Sequence, residues 1–244
     1  MSGHSHFKSI KGQKAITDSK RSQAFSKMSK EITVAAKEGG DPEFNSKLRI
    51  AIENARDLRM PTENIERAIK RGTGEIAGEK LEEVLFEAYG PGGIAIIIEG
   101  ITDNKKRALS EIKQILNQNG GKLVGEGAVK WMFGRKGCIT LRITNQYEYT
   151  NKENLELAAI EAGAEDVYWH NDILEVYTKP EDLGWVKKNL EEKGIKLDSV
   201  SLDWLAKEMV ELGKKEKDSS QKLFEVLDKA DSVQEIYSNL CLEK

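Results

Sequence analysis

The order of elements over residues 138–206 restricts the possible folds more than any other feature of the sequence. A strand at Cys138–Ile143 is followed by a helix at Lys152–Ala162, strands at Asp166–His170 and Ile173–Thr178, a helix at Glu181–Lys193 and a strand at Lys196–Leu205. That βαββαβ series is the split ferredoxin-like unit and is complete in itself. The block before it, residues 80–135, is incomplete. Strands at Val84–Tyr89 and Ile94–Ile101 flank the turn Gly90-Pro91-Gly92-Gly93, a helix spans Asn104–Asn119, and a strand is read at Ala128–Phe133. After residue 206 come a helix at Ser219–Lys229 and a strand at Ser232–Leu240. A solitary strand leaves its backbone groups unpaired, so these two elements are expected to complete the earlier block. The reading is one α+β domain made of residues 80–136 plus 214–244, with a second α+β domain, 137–207, inserted into it. Three consecutive domains with a helical tail is the alternative.

Residues 1–75 follow a different period. Phe25, Met28, Ile32 and Ala35 share one face of a helix over Ser19–Lys37, which Gly39-Gly40 ends. A second helix starts near Ser46 and presents Leu48, Ala51, Ile52, Ala55 and Leu58. A third starts at Pro61, a favoured first helical position, carries Ile65, Ala68 and Ile69, and stops at Gly72. The expected fold class is therefore multi-domain, α and α+β. A basic arm and three-helix bundle precede two ferredoxin-like-type α+β domains, the second inserted into the first.

Charge is divided unevenly along the chain. The net formal charge is −3, but residues 1–74 hold fifteen Lys and Arg against nine Asp and Glu, while the remainder holds 23 against 32. One end is thus suited to meet a polyanion while the rest keeps the protein in solution. Lys8, Lys11, Lys14, Lys20, Arg21, Lys27 and Lys30 lie within 23 residues, interleaved with Phe7 and Ile10. A purely solubilising surface mixes both signs. Lys70 and Arg71 close the third helix, where the helix dipole favours cations. Lys105, Lys106 and Arg107 open a later helix, where the dipole disfavours them and an anionic partner would offset the cost. These twelve residues are the candidate nucleic-acid contacts.

Other chemistries find little support. Gly72-x-Gly74-x-x-x-Gly78 has the wrong spacing for a dinucleotide loop and follows a helix, and Gly121-Lys122-Leu123 lacks a P-loop hydroxyl. His4, His6 and His170 make neither a triad nor a metal cage. Cys138 and Cys241 are far apart and read as small apolar residues of a reducing compartment. The longest apolar run, Ile94–Ile98, is too short to span a bilayer, and the lysine-rich start lacks the apolar stretch of a secretory signal. No catalytic residue, metal, cofactor, small-molecule substrate or membrane is expected, and the cytoplasm is the expected location.

Six motifs in order resemble the YebC/PmpR family. They are Gly3-His4-Ser5 with Ile10-Lys11-x-x-Lys14, Glu31-Ile-Thr-Val-Ala-Ala-Lys37 leading to Gly39-Gly40-Asp41-Pro42, and Met60-Pro61 leading to Arg67-Ala-Ile-Lys-Arg-Gly72. Tyr89-Gly-Pro-Gly-Gly93, Thr102-Asp103-Asn104 before Lys105-Lys106-Arg107, and Ile236-Tyr237-x-Asn239 complete the set. The similarity runs from residue 3 to about 241. His6-Phe7 stands where the family commonly has Lys-Trp, and Ser238 stands between Tyr237 and Asn239 where it commonly has His.

The resemblance implies a helical bundle with two α+β domains, a cytoplasmic location and no cofactor. It also implies regulation of gene expression. Family members are labelled probable DNA-binding transcriptional regulators, and relatives act in translation, in mitochondria or on ribosomes stalled at proline runs. Because the motif starts at residue 3, the bacterial branch is the expected one. Three expectations follow: a DNA-binding regulator, a ribosome- or RNA-associated translation factor, and a protein-interaction scaffold.

Overall fold

A computed structural model of the chain describes residues 18–142 and 151–241. Helices α1 (Asp18–Ala35), α2 (Ser46–Asp57) and α3 (Thr62–Thr73) form the N-terminal bundle, with a 3-10 turn at Ala36–Glu38. Ile32, Leu48, Ile52, Ala55, Met60 and Ile65 close its core. Asn45 locks the α1–α2 turn. Its Oδ1 accepts the Leu48 N–H at 3.0 Å, and its Nδ2 donates to the Ala35 and Gly39 carbonyls, both at 2.8 Å. Gly72 lets α3 lie against α1, since a Cβ there would come 2.4 Å from the Thr33 carbonyl oxygen.

The rest is two four-stranded sheets. The chain runs through β1 (Glu82–Tyr89), β2 (Ala95–Thr102), α4 (Lys105–Gln118), β3 (Lys122–Val124), β4 (Phe133–Arg142), α5 (Lys152–Glu161), β5 (Asp166–His170) and β6 (Ile173–Thr178). It continues through α6 (Leu183–Glu192), β7 (Leu197–Ala206), α7 (Lys214–Lys229) and β8 (Val233–Ser238). Strand orders are β3-β1-β2-β8 and β5-β6-β4-β7, and every pairing between these strands is antiparallel. The second order is that of the split βαββαβ unit.

The first sheet departs from the ferredoxin-like expectation. Its two central strands, β1 and β2, are joined by only Gly90–Ile94, a connection too short for a crossover helix, so they pair as a hairpin. β8 then adds to the far side of β2, opposite Ile96–Gly100.

A second departure lies at Ala128–Phe133, read from the sequence as a strand. Residues 130–132 form a 3-10 turn instead, and β4 begins at Phe133. The Glu87 side chain captures the backbone N–H groups of Gly127, Val129 and Lys130, which removes them from any ladder.

Ile94, Ile96 and Ile98 pack under α4 and α7 against Ile112, Leu116, Leu223 and Leu227. Ala95 and Ile97 face the other way, onto Val129, Phe133, Tyr237 and Trp204. With both faces covered, this stretch is continuously apolar and does not alternate. Ile139, Leu141, Leu174, Val176 and Val200 of the second sheet pack under α5 and α6.

Candidate nucleic-acid interface

The cations of α1 fall into two sets. Lys27 Nζ lies 2.8 Å from Asp228 Oδ1 and also donates to the Asp228 carbonyl at 3.1 Å. Gln23 Nε2 donates to the same carbonyl at 2.8 Å. Lys30 Nζ donates to Asp231 Oδ2 at 2.6 Å and to the Asp231 carbonyl at 2.8 Å. Asp228 is in the last turn of α7 and Asp231 just beyond it, so both ammonium groups sit where the helix dipole attracts cations. The expectation that Lys27 and Lys30 belong to an open cationic face is therefore corrected: their charge is met by the protein's own carboxylates, and they fasten the bundle to α7. Lys37 extends the seam to the Leu81 carbonyl. On another side of the bundle, Asn54 Nδ2 donates to the Val200 carbonyl at 3.4 Å, and Lys187 pairs with Glu53.

Arg21, Lys70 and Arg71 are exposed and have no ion pair among the described residues, and Arg67 joins them. Arg67 and Arg71 are four apart on α3 and lie on one wall of a cleft of about 250 Å³ between α1 and α3. Ser22, Ser26 and Ser29, at helical spacing on α1, supply hydroxyls to the same cleft, Asn64 adds an amide, and Phe25 and Met60 line it with apolar atoms. Arginine forks and serine hydroxyls are donors suited to phosphate oxygens. The three serines were not singled out from the sequence, and Arg67, though part of the basic cluster Arg67-Ala-Ile-Lys70-Arg71, was not counted among the candidate contacts. Their signal is the three- and four-residue spacing that puts the serines on one face of α1, with the i, i+4 arginine pair on α3.

Lys8, Lys11 and Lys14, and the side chain of Lys20, lie outside the described residues.

The Lys105, Lys106 and Arg107 cluster is largely balanced locally. Lys105 Nζ is 3.0 Å from Glu82, and Arg107 Nη2 is 2.5 Å from Asp103. Two carboxylates thus offset the unfavourable position at the N-terminus of α4, which Asn104 caps by accepting the Arg107 N–H at 3.1 Å. Lys106 alone is exposed with no ion pair among the described residues.

Among the described residues no group of three or more His, Cys, Asp or Glu is arranged to hold a metal ion. His170, Glu175 and Tyr177 are buried together, with the His170 Nε2 3.2 Å from Glu175 and the Tyr177 hydroxyl donating to the same carboxylate. No helix among the described residues is long and apolar enough to cross a membrane.

Comparison with known proteins places this architecture. The model of the TACO1/YebC protein N-terminal domain matches residues 5–75, and that of the TACO1/YebC second and third domain matches residues 81–240. The chain belongs to the TACO1/YebC family. A "probable transcriptional regulatory protein" of Halothermothrix orenii is 47% identical over 241 residues, 98% of this chain and 94% of that one. A protein of the same description from Caldanaerobacter subterraneus subsp. tengcongensis is 45% identical over 244 residues, 100% of this chain and 99% of its own. Among solved structures, a conserved hypothetical protein, Aq1575, from Aquifex aeolicus superposes with a TM-score of 0.85 at 39% identity, covering 93% of this chain and 95% of that one. In this TACO1/YebC chain the cleft between α1 and α3 falls within the N-terminal family domain.

Proposed function

We propose that this protein is a nucleic-acid-binding regulator of gene expression that holds phosphates with the cationic edge of its N-terminal bundle. One observation carries the proposal: Arg67 and Arg71 stand exposed, with no ion pair among the described residues, beside a row of serine hydroxyls that share their cleft. The arm lysines Lys8, Lys11 and Lys14, with Lys20, Arg21, Lys70 and Lys106, extend the cationic set. The names of the relatives support a regulatory role, and the first reading takes duplex DNA as the partner. A second reading, a ribosome- or RNA-associated translation factor, is supported by a solvent-facing tryptophan, Trp131, beside two lysines. On either reading the protein acts by binding in the cytoplasm, without catalysis, a cofactor, a small-molecule substrate or a membrane.

Titration of the full chain onto duplex DNA and onto ribosomal RNA at several salt concentrations tests this. Four open cations, Arg21, Arg67, Lys70 and Arg71, predict a log-affinity against log-salt slope of about −3 or steeper. Sedimentation with purified ribosomes decides between the two targets. Salt-insensitive binding, or no binding to either polymer, overturns the proposal in favour of a protein-interaction scaffold.

A further inference from the structure

Glu87 is buried in β1, yet its carboxylate faces a loop. Its Oε1 accepts the Gly127 N–H at 2.6 Å, and its Oε2 accepts those of Val129 and Lys130 at 2.7 and 2.8 Å. Burial opposes ionisation, but the three N–H groups and the nearby Lys130 outweigh it and hold the carboxyl below its ordinary value. A buried charge is used here to fix the backbone of a surface turn.

That turn presents Trp131, with 64% of its surface exposed. Its indole N–H donates inward to the Ala128 carbonyl at 3.1 Å, so the ring's polar edge is satisfied by the protein. An exposed tryptophan usually does the reverse, keeping its polar edge in water and burying the ring. Lys207 Nζ donates to the Trp131 carbonyl at 2.8 Å, which sets an ammonium at the root of the ring. Lys130, next along the turn, lies 5.3 Å from the ring centroid of Trp204. Lys130 and Lys207 are exposed and have no ion pair among the described residues. Glu126 and Glu208, their neighbours in sequence, are exposed and unpaired to them.

We infer that Trp131 is a stacking platform for an unpaired RNA base, with Lys130 and Lys207 placed for the adjoining phosphates. This rests on the nucleic-acid reading above and adds to it a site that shares no residue with the cleft between α1 and α3. Every base has a π-face, so such a contact tolerates sequence, but it requires a base free of its own stack. Recognition of a single-stranded or looped segment follows, and the rigid turn lowers the ordering cost of binding it.

Fluorescence anisotropy of the full chain with a 12-nucleotide oligouridylate, whose bases are largely unstacked, and with a 12-base-pair RNA duplex is the test. Trp131→Ala is expected to weaken single-strand binding roughly 5- to 100-fold. Trp131→Phe, which keeps a ring, is expected to retain most of the affinity, and duplex binding is expected to change less than about twofold in both. Arg67→Gln with Arg71→Gln weakens both probes and reports the bundle separately. Equal losses on single strand and duplex, or native affinity in Trp131→Ala, overturn the platform while leaving the bundle reading intact. If the native chain binds neither RNA, both readings of an RNA target fall.

Discussion

Replacing Lys27 with methionine keeps an aliphatic stem of similar length and removes the ammonium that reaches α7. Lys27 is only 11% exposed at the side chain and donates to both the carboxylate and the carbonyl of Asp228. A hydrogen bond to a charged partner contributes about 1.5–3 kcal/mol. Asp228 is itself 22% exposed, so water recovers part of the loss, and a cost of about 1–2 kcal/mol is expected. For a chain of this size that corresponds to a fall in Tm of about 2–8 °C. A double-mutant cycle with Asp228→Asn, read by urea denaturation, should show coupling of about 1 kcal/mol. The same variant should leave the salt slope of nucleic-acid binding unchanged, because the ammonium is already met within the protein. A slope reduced by about one with stability unaltered would show that Lys27 contacts phosphate, and the seam assignment would be wrong.

Three further outcomes follow from the packing. Glu87→Gln should destabilise the chain by about 1–3 kcal/mol at pH 7. A carboxyl held below its ordinary value contributes stability above its unfolded pKa, and that contribution is lost as pH falls through the lower folded value. The penalty should therefore shrink in denaturation at pH 3, and an equal penalty at both pH values would mean the charge does not hold the turn. Gly72→Ala should cost about 1–3 kcal/mol by thermal melting, since the new methyl meets the Thr33 carbonyl, and an unchanged Tm would show that α1 and α3 separate freely. Asn45→Ala removes a helix cap and two carbonyl partners and should cost about 1–3 kcal/mol, seen as faster amide exchange at the Leu48 N–H.

Periodic segments were legible in the sequence. The apolar spacing of Phe25, Met28, Ile32 and Ala35 marked α1, and Pro61 marked the start of α3, of which it is the N-cap; the helix runs past the expected stop at Gly72 to a left-handed C-cap at Gly74. The βαββαβ order was readable because each of its strands is short and bounded by turns. β8 reads as a lone strand locally but lies beside β2 in the first sheet.

The failures share a cause, which is long-range capture of local groups. Nothing near Ala128 announces that Glu87, about forty residues earlier, will take its neighbours' N–H groups. Likewise nothing near Lys27 and Lys30 announces Asp228 and Asp231, about 200 residues later. A charge count finds cations but not which of them meet carboxylates. Arg67 was visible as part of the basic cluster at the end of the third helix, but the serines that share its cleft belong to another helix and carry no local signal of that pairing.

The central claim is that the open cations of α3, rather than the lysines of α1 fastened to α7, grip phosphate. The most direct measurement compares salt slopes for the native chain and for Arg67→Gln, Lys70→Gln, Arg71→Gln combined, on one nucleic acid and with unchanged melting temperatures. Loss of three phosphate contacts predicts a slope shallower by about 2–3. An unaltered slope in that folded variant would contradict the claim.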